Sequence, residues 1–289
     1  MARLFAKSMS FLYRGVKRIT GLDALTKLQE DTRNISAFQA WQELLKGGKY
    51  TNPKVLSRYG FKVHSQAEED GIIHEIFRRI GATQRTFMEI GVSNGLENNT
   101  LYLLRQGWAG VWIDGNQKYA NEINHIFTKH ISKGDLQCCC EHVTRENINE
   151  LYKRYYPEQG PDLLSIDIDG NDYHILAALT SLDARVIVLE YNPVFAPPIE
   201  WIMDHNSNHK WTGDDNYSAS LKSYEKLLSG KGYSLVGCTS NGNNAFFVRK
   251  HLATNHFHED CSAEFHYEPQ RFWLTNAFIA GHRYRTSYK

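Results

Sequence analysis

The sequence predicts an α/β fold: a doubly wound sheet, mostly parallel, with an antiparallel strand at its C-terminal end and helices ahead of it. Three observations carry this. Strand-like and helix-like runs alternate from residue 86 to residue 192, the pattern of successive βαβ units. The strand-like runs are nearly continuous in apolar residues, as expected of strands covered on both faces. Four of them end in a carboxylate: Glu89, Asp114, Asp167 with Asp169 close behind, and Glu190.

The elements follow in order. Residues 1–22 carry Arg3, Lys7, Arg14, Lys17 and Arg18 and no acid, interleaved with Leu4, Phe5, Phe11, Leu12, Val16 and Ile19. This is a candidate basic amphipathic helix for an anionic membrane face, or for packing on a partner subunit or on the protein itself. Gly15 and Gly21 weaken it as a helix. Helix is expected to continue over 23–46, with Leu25, Leu28, Phe38, Trp41, Leu44 and Leu45 at helical spacing. Gly47-Gly48 ends it. Ser65 is a candidate N-cap for a helix over 72–80, with Glu68, Glu69 and Asp70 complementing its dipole.

Thr86-Phe87-Met88-Glu89-Ile90 reads as the first strand, followed by the turn Gly91-x-x-x-Gly95 and a loop leading into a helix. Strands are expected at 110–116, 136–143, 162–170 and 185–192, and helices at 120–129, 146–155 and 173–182, with Thr144 as a cap. Residues 193–217, rich in Pro, Asn, Asp, His and Trp, read as a long functional loop. A helix over 218–230 precedes two strands joined by the turn 239–243, a hairpin. The expected domain division is an N-terminal helical extension (1–58), the α/β domain (59–250), and an aromatic, His-rich extension (251–289) packing on that domain.

Composition narrows the function. The chain has 289 residues, 42% hydrophobic and 22% charged, with net charge +1, which suits one large core with appendages. Near-neutral charge argues against bulk nucleic-acid binding. No apolar run approaches the roughly 18 residues of a membrane span. No signal-peptide pattern is seen, so a cytoplasmic location is expected, with the inner membrane face as a candidate through the basic N-terminus. Five cysteines, three of them consecutive (Cys138, Cys139, Cys140), fit neither a zinc knuckle nor a disulfide framework. They read as small buried hydrophobes in a reducing compartment.

In such a sheet, ligands bind beyond the C-terminal ends of the strands. Leaving carboxylates unpaired there would be costly unless they served a ligand. Asp114, about 20 residues past the glycine turn, has the spacing of an acid that accepts ribose hydroxyls. Gly91 and Gly95 would let backbone approach the ligand. Glu89 would hold nearby amides, water or a ligand amino group. Asn99 and Asp167 join this cofactor-binding set. Asn116 either flanks the nucleoside or serves the turn, and His142-Val143-Thr144 lies near the base by topology.

Taken together, these motifs resemble a known family. The acid-led glycine turn is similar to the first motif of class I S-adenosylmethionine-dependent methyltransferases, which are Rossmann-like. The wider set resembles FkbM-type methyltransferases: Ser65-Gln66…Glu68-Glu69-Asp70-Gly71, Leu96-Glu97-Asn98-Asn99-Thr100, Trp112-Ile113-Asp114-Gly115, Ile166-Asp167-Ile168-Asp169-Gly170-Asn171-Asp172-Tyr173, Glu190-Tyr191-Asn192-Pro193 and Gly232-Tyr233-Ser234-Leu235-Val236-Gly237. The resemblance spans about residues 60–250. It implies S-adenosylmethionine as methyl donor and O-methylation of a sugar or glycan acceptor in polysaccharide biosynthesis.

The stretch from Ile166 to Tyr173 also resembles the post-strand-four motif of catechol-type O-methyltransferases, where the first acid binds a divalent cation. By that resemblance Asp167, with Glu190 and Asn192, would hold Mg²⁺ or Mn²⁺, although one extra residue separates the acid from the amide. Oxygen donors suit those ions.

In-line displacement on a sulfonium methyl group needs alignment, and a hydroxyl acceptor needs a base or a metal. The candidate catalytic residues are Asp167, Asp169, His205 and His209, with His174 expected to pack inside a helix. Trp201, Trp211 and Tyr217 offer stacking faces to a pyranose. Two rivals remain. A nicotinamide-dependent sugar oxidoreductase needs the Gly-x-Gly-x-x-Gly turn, which is absent. A non-catalytic scaffold has no use for acids at every strand end. Self-association through the N-terminal helices is a further candidate.

Overall fold

The computed structural model describes residues 22–278. The basic segment over 1–22 therefore lies, but for Leu22, outside the described residues, as does the end of the C-terminal extension. The first helix, α1 (Leu22–Leu44), buries only Ala37 and exposes Leu22, Leu25, Leu28 and Ile35. Its last turns rest on the C-terminal segment, where Trp41 meets Phe278 edge-on at 5.0 Å. Among the described residues no helix is long and apolar enough to cross a membrane.

Next come α2 (Glu69–Ile80), β1 (Thr86–Ile90), α3 (Leu101–Arg105), β2 (Ala109–Asp114), α4 (Gln117–Ile126), α5 (Thr128–Lys133) and β3 (Leu136–Cys140). They are followed by α6 (Ile148–Tyr155), β4 (Leu163–Ile166), α7 (Asp172–Ala178), β5 (Val186–Glu190), α8 (Leu221–Gly230), β6 (Tyr233–Cys238) and β7 (Asn244–Arg249). One sheet of seven strands has the order β3-β2-β1-β4-β5-β7-β6. β1 to β5 are mutually parallel and β7 runs antiparallel to both β5 and β6. This is the doubly wound, Rossmann-like architecture expected from the sequence. The strand order reverses between β1 and β4, which opens a ligand crevice at their C-terminal ends.

Each face of the sheet carries its own core. One is built on Met88, Ile90, Val111, Ile113, Leu164 and Ile166 under α6, α7 and α8. The other is built on Phe87, Trp112, Leu163, Val186 and Val188 under α2, α3 and α4. Alternate residues of each strand feed alternate faces.

Several elements depart from expectation for local reasons. α2 starts at Glu69 rather than at residue 72, and Ser65 is not its N-cap. Glu69 and Asp70 do lie in its first turn, as expected for complementing its dipole, while Glu68 precedes it; all three are buried. Asp70 accepts the amides of Val63, His64 and Ser65, and Glu69 accepts the Ala67 amide and the Asn244 side-chain amide. Glu68 accepts the Ser240 amide on the β6–β7 turn. α7 ends at Ala178, short of residue 182, because Asn149 and Lys231 take its last carbonyls.

The tail over 251–278 begins with two short helices, Lys250–Ala253 and Ala263–His266, and ends in a 3-10 turn, Phe272–Phe278. Between them lies a strap bolted onto the turn over 239–243. Glu268 is almost fully buried and is bound by Lys49 at 2.9 Å, Arg271 at 2.7 Å and the Tyr50 hydroxyl at 2.6 Å. Its carbonyl accepts from Tyr191 Oη, and the Arg271 amide donates to Asn241.

Candidate active site

Two adjoining cavities open at the C-terminal ends of the strands. The smaller, about 310 Å³, lies over β2 and β3 and is lined by Asp114, Gly115, Tyr119, Glu141, His142 and Val143. The larger, about 630 Å³, lies over β4 and β5 and reaches the 211–217 loop, the β6–β7 turn and the strap. Gly91, Ser93, Asp167 and Asp169 line both.

Asp114 ends β2. One of its oxygens accepts the Ser93 amide and the other the Asn116 amide, both at 2.8 Å. Burial pushes its carboxyl up from the usual carboxylate range. A carboxylate has about four lone-pair sites, so the remaining ones face the smaller cavity.

Gly91 has φ +85, and a Cβ there would lie 1.6 Å from the Asp167 carbonyl oxygen. Only glycine allows this backbone conformation and this approach to β4 together, and the approach puts β1 and β4 side by side at the mouth. Gly95 acts differently. Its φ is +76, but a Cβ would meet the Trp112 ring at 2.7 Å. Gly95 therefore seats the loop on the core and does not line either cavity.

Glu89 is buried beneath the crevice rather than opening freely into it. It accepts the Asn99 and Thr100 amides at 2.8 and 3.1 Å and the Thr100 hydroxyl at 2.5 Å. Thr100 Oγ1 in turn accepts the Trp112 indole N–H. Burial raises the Glu89 carboxyl to about 7 against the pull of these donors. Asn99 donates its side-chain amide to Ser165 and lines the larger cavity. Asn116 is exposed and caps α4 by accepting the Lys118 amide, so it serves the turn.

The expected metal set changes. Asn192 is fully buried and its side chain is committed. It donates to the Asp215 and Tyr217 carbonyls and accepts the Val194 amide. The extra residue after Glu190 turns this amide toward the loop instead of the crevice. Asp169, held in the left-handed region at φ +55, takes its place. Asp167, Asp169 and Glu190 bring carboxylate oxygens within 4.8 Å of one another. Glu190 Oε2 is buried and has no hydrogen-bond partner. Burial, then the charges of Asp172, Asp169 and Glu89, push Asp167 well above the carboxylate range. Burial and the Asp167 charge do the same to Glu190.

His209 lies over Gly170 on the smaller cavity, beside Asp169, with a buried and unpartnered Nε2. His205 does not reach the carboxylates. It packs edge-on against His174 at 5.3 Å in a side pocket, and His174 bonds the Met203 carbonyl. Trp201 stacks on Phe195 at 4.2 Å and lines neither cavity, whereas Trp211 and Tyr217 line the larger one. Asn241, Asn243, Asn244, Gln270, Phe272 and Thr275 wall the larger cavity but belong to no motif that marks them as site residues. They arrive through the hairpin turn and the strap.

No family model and no curated protein matches the chain. Some solved structures are similar to it in part. Magnesium protoporphyrin IX methyltransferase from Synechocystis PCC 6803 with bound SAH is 15% identical, with a TM-score of 0.43 over 77% of this chain and 98% of that one. The N-terminal domain of EvdMO1 with SAH bound is 14% identical, with a TM-score of 0.42 over 72% and 94%. The methyltransferase domain of bacterial-CtHen1-C is 11% identical, with a TM-score of 0.41 over 64% and 97%. At this distance the likeness carries no argument: the fold rests on the sheet topology and the chemistry on the site itself.

Proposed function

We propose that the protein is an S-adenosylmethionine-dependent O-methyltransferase of FkbM type that acts on a sugar hydroxyl in glycan assembly. The observation that carries this is the pair of cavities meeting at Gly91, Ser93, Asp167 and Asp169. One cavity has an acid at a strand end beside Tyr119, Ile113 and Val143, a mixed lining that suits a nucleoside, and the other has amides, aromatics and carboxylates that suit a polyol.

The donor fits the smaller cavity on two counts: the spare lone pairs of Asp114, and the close backbone approach that Gly91 permits. Asp114 would hold the ribose hydroxyls, and Tyr119 and Val143 would flank the adenine. The donor supplies an electrophilic methyl group on sulfur. The residues of this chain align the acceptor oxygen and remove its proton. Asp169, open to solvent and shared by both cavities, is placed to take that proton, with His209 beside it. A hydroxyl attacks only as it loses its proton, so a base within reach of it suits the task.

The cluster of Asp167, Asp169 and Glu190 also has the all-oxygen donor set of a Mg²⁺ or Mn²⁺ site. These three residues would hold the ion, which would lower the pKa of a bound hydroxyl.

Calorimetry with S-adenosylmethionine tests the proposal. The protein should bind it, and Asp114→Ala should weaken binding by about 10- to 100-fold, the equivalent of about 1.4–2.7 kcal/mol. Absence of binding by the unsubstituted protein rules out the methyltransferase reading. Turnover unaffected by a chelator removes the metal.

A further inference from the structure

Resting on that reading, we infer that the acceptor is an uncharged or ammonium-bearing polyhydroxy compound, and that the larger cavity rejects acceptors carrying phosphate or carboxylate. Among the described residues lining this cavity there is no Lys, Arg or His. Its acids fall into two groups. Glu89 is satisfied by amides and a hydroxyl, and Glu97 pairs with Lys62 at 3.2 Å. Asp167, Asp169, Glu190, Asp214 and Asp215 face the cavity without a cationic side chain bound to them. Asp214 accepts the Thr212 hydroxyl and the Asn216 amide. His209, which lies near enough to act on both Asp169 and Asp214, lines the smaller cavity and not this one.

These acids have two origins in the fold. Asp167, Asp169 and Glu190 come from the ends of β4 and β5, whereas Asp214 and Asp215 come from the loop facing them. Burial shifts Asp167 and Glu190 toward their proton-bearing form, so an acceptor in the space between meets the charge of Asp214 and Asp215 on one side, and on the other side acids that an approaching anion would drive further toward neutrality. A divalent ion on the β4–β5 group would offset part of this and still leave the acids in excess. The rest of the wall is neutral and suited to hydroxyls. Side-chain amides come from the β6–β7 turn and Gln270, and ring faces come from Trp211 and Phe272, both about half exposed at 51% and 41%. Such rings take the apolar face of a pyranose, and an ammonium group as readily. An anion would meet like charges in a partly desolvated cleft and find no donor stronger than an amide.

The test uses the full-length protein saturated with S-adenosylhomocysteine. Saturation-transfer NMR measures the affinity of a panel of hexoses, each presented as methyl glycoside, amino sugar, uronate and 6-phosphate. Neutral and amino forms should bind, and the phosphate of the best-bound hexose should be weaker by about 10-fold, a like-charge effect discounted for the exposure of the loop acids. The Asp214→Asn, Asp215→Asn double variant, changed at two exposed positions, should narrow that gap by about threefold. A phosphate form that binds within about threefold of its neutral partner overturns the inference, as does a gap unchanged in the double variant. So does the failure of every neutral and amino form to bind. Calorimetry with S-adenosylhomocysteine on the same sample reports separately on methyl transfer. If that ligand fails to bind while the charge order holds, the methyltransferase reading falls and the selectivity of the cavity stands.

Discussion

Glu68 offers a sharp test of how this site is braced. Its carboxyl is fully buried, accepts the Ser240 amide, and leaves Oε2 without a hydrogen-bond partner. Burial pushes its pKa from 4.5 to about 8, with the neighbouring acids Glu69 and Glu268 adding to the rise. A carboxyl whose folded pKa exceeds its unfolded value keeps its proton in the folded state after the unfolded chain has lost it. Stability is then fully present below about pH 4.5 and falls as pH rises toward about 8. At about 1.36 kcal/mol per pKa unit, the shift corresponds to a loss of up to about 5 kcal/mol across that window. Glu68→Gln keeps an oxygen for the Ser240 amide and removes the titration. Its own cost is an unsatisfied N–H, about 1–3 kcal/mol, present at every pH. The variant should therefore be the less stable protein at pH 5 and the more stable one at pH 9. Urea denaturation of both proteins at half-unit steps gives the difference curve, in which Glu89, Asp167 and Glu190 largely cancel because both proteins carry them. A difference that stays flat between pH 5 and 9 refutes the reasoning.

Two further outcomes are expected. Gly91→Ala drives a methyl group into the Asp167 carbonyl at a positive φ and should cost at least about 3 kcal/mol in a denaturation midpoint series, since backbone strain and overpacking each cost about 1–3. Glu69→Gln places an amide N–H₂ against the Asn244 side chain or the Ala67 amide, so the β6–β7 turn should shift; with a methylated acceptor in hand, KM for the acceptor should rise by about 10-fold while donor binding by calorimetry is unchanged, the loss of about one hydrogen bond to a charged group.

Much of the fold was legible because its signals are local. Apolar runs at 86–90, 110–114 and 186–190 could only be buried strands, and the acid closing each one named the ligand-bearing edge. Asp114 illustrates this: the chain position of a strand end is enough to place it. Glu89 and Asn192 show where such reasoning stops. Both sit at strand ends, yet the direction of each side chain depends on what lies across from it, Thr100 in one case and the carbonyls of Asp215 and Tyr217 in the other. Asp169 was readable as a site residue, but its replacement of Asn192 in the carboxylate cluster depends on a left-handed backbone that no pattern announces. The strap was harder still. Lys49 and Tyr50 hold Glu268 across 218 or more residues of chain, and no periodicity reports a contact of that span.

That strap divides the site by how freely its parts can vary. The smaller cavity is made of strand ends, where Asp114 and Gly91 also hold the sheet together, so alteration there endangers folding. The larger one is closed by Phe272, Gln270 and Thr275, on a segment fastened chiefly through Glu268 and Arg271. Substitutions at those three positions can reshape the receiving side while the fastening and the sheet stay as they are. A lineage built on this chain thus has a route to new acceptors that leaves the donor half untouched.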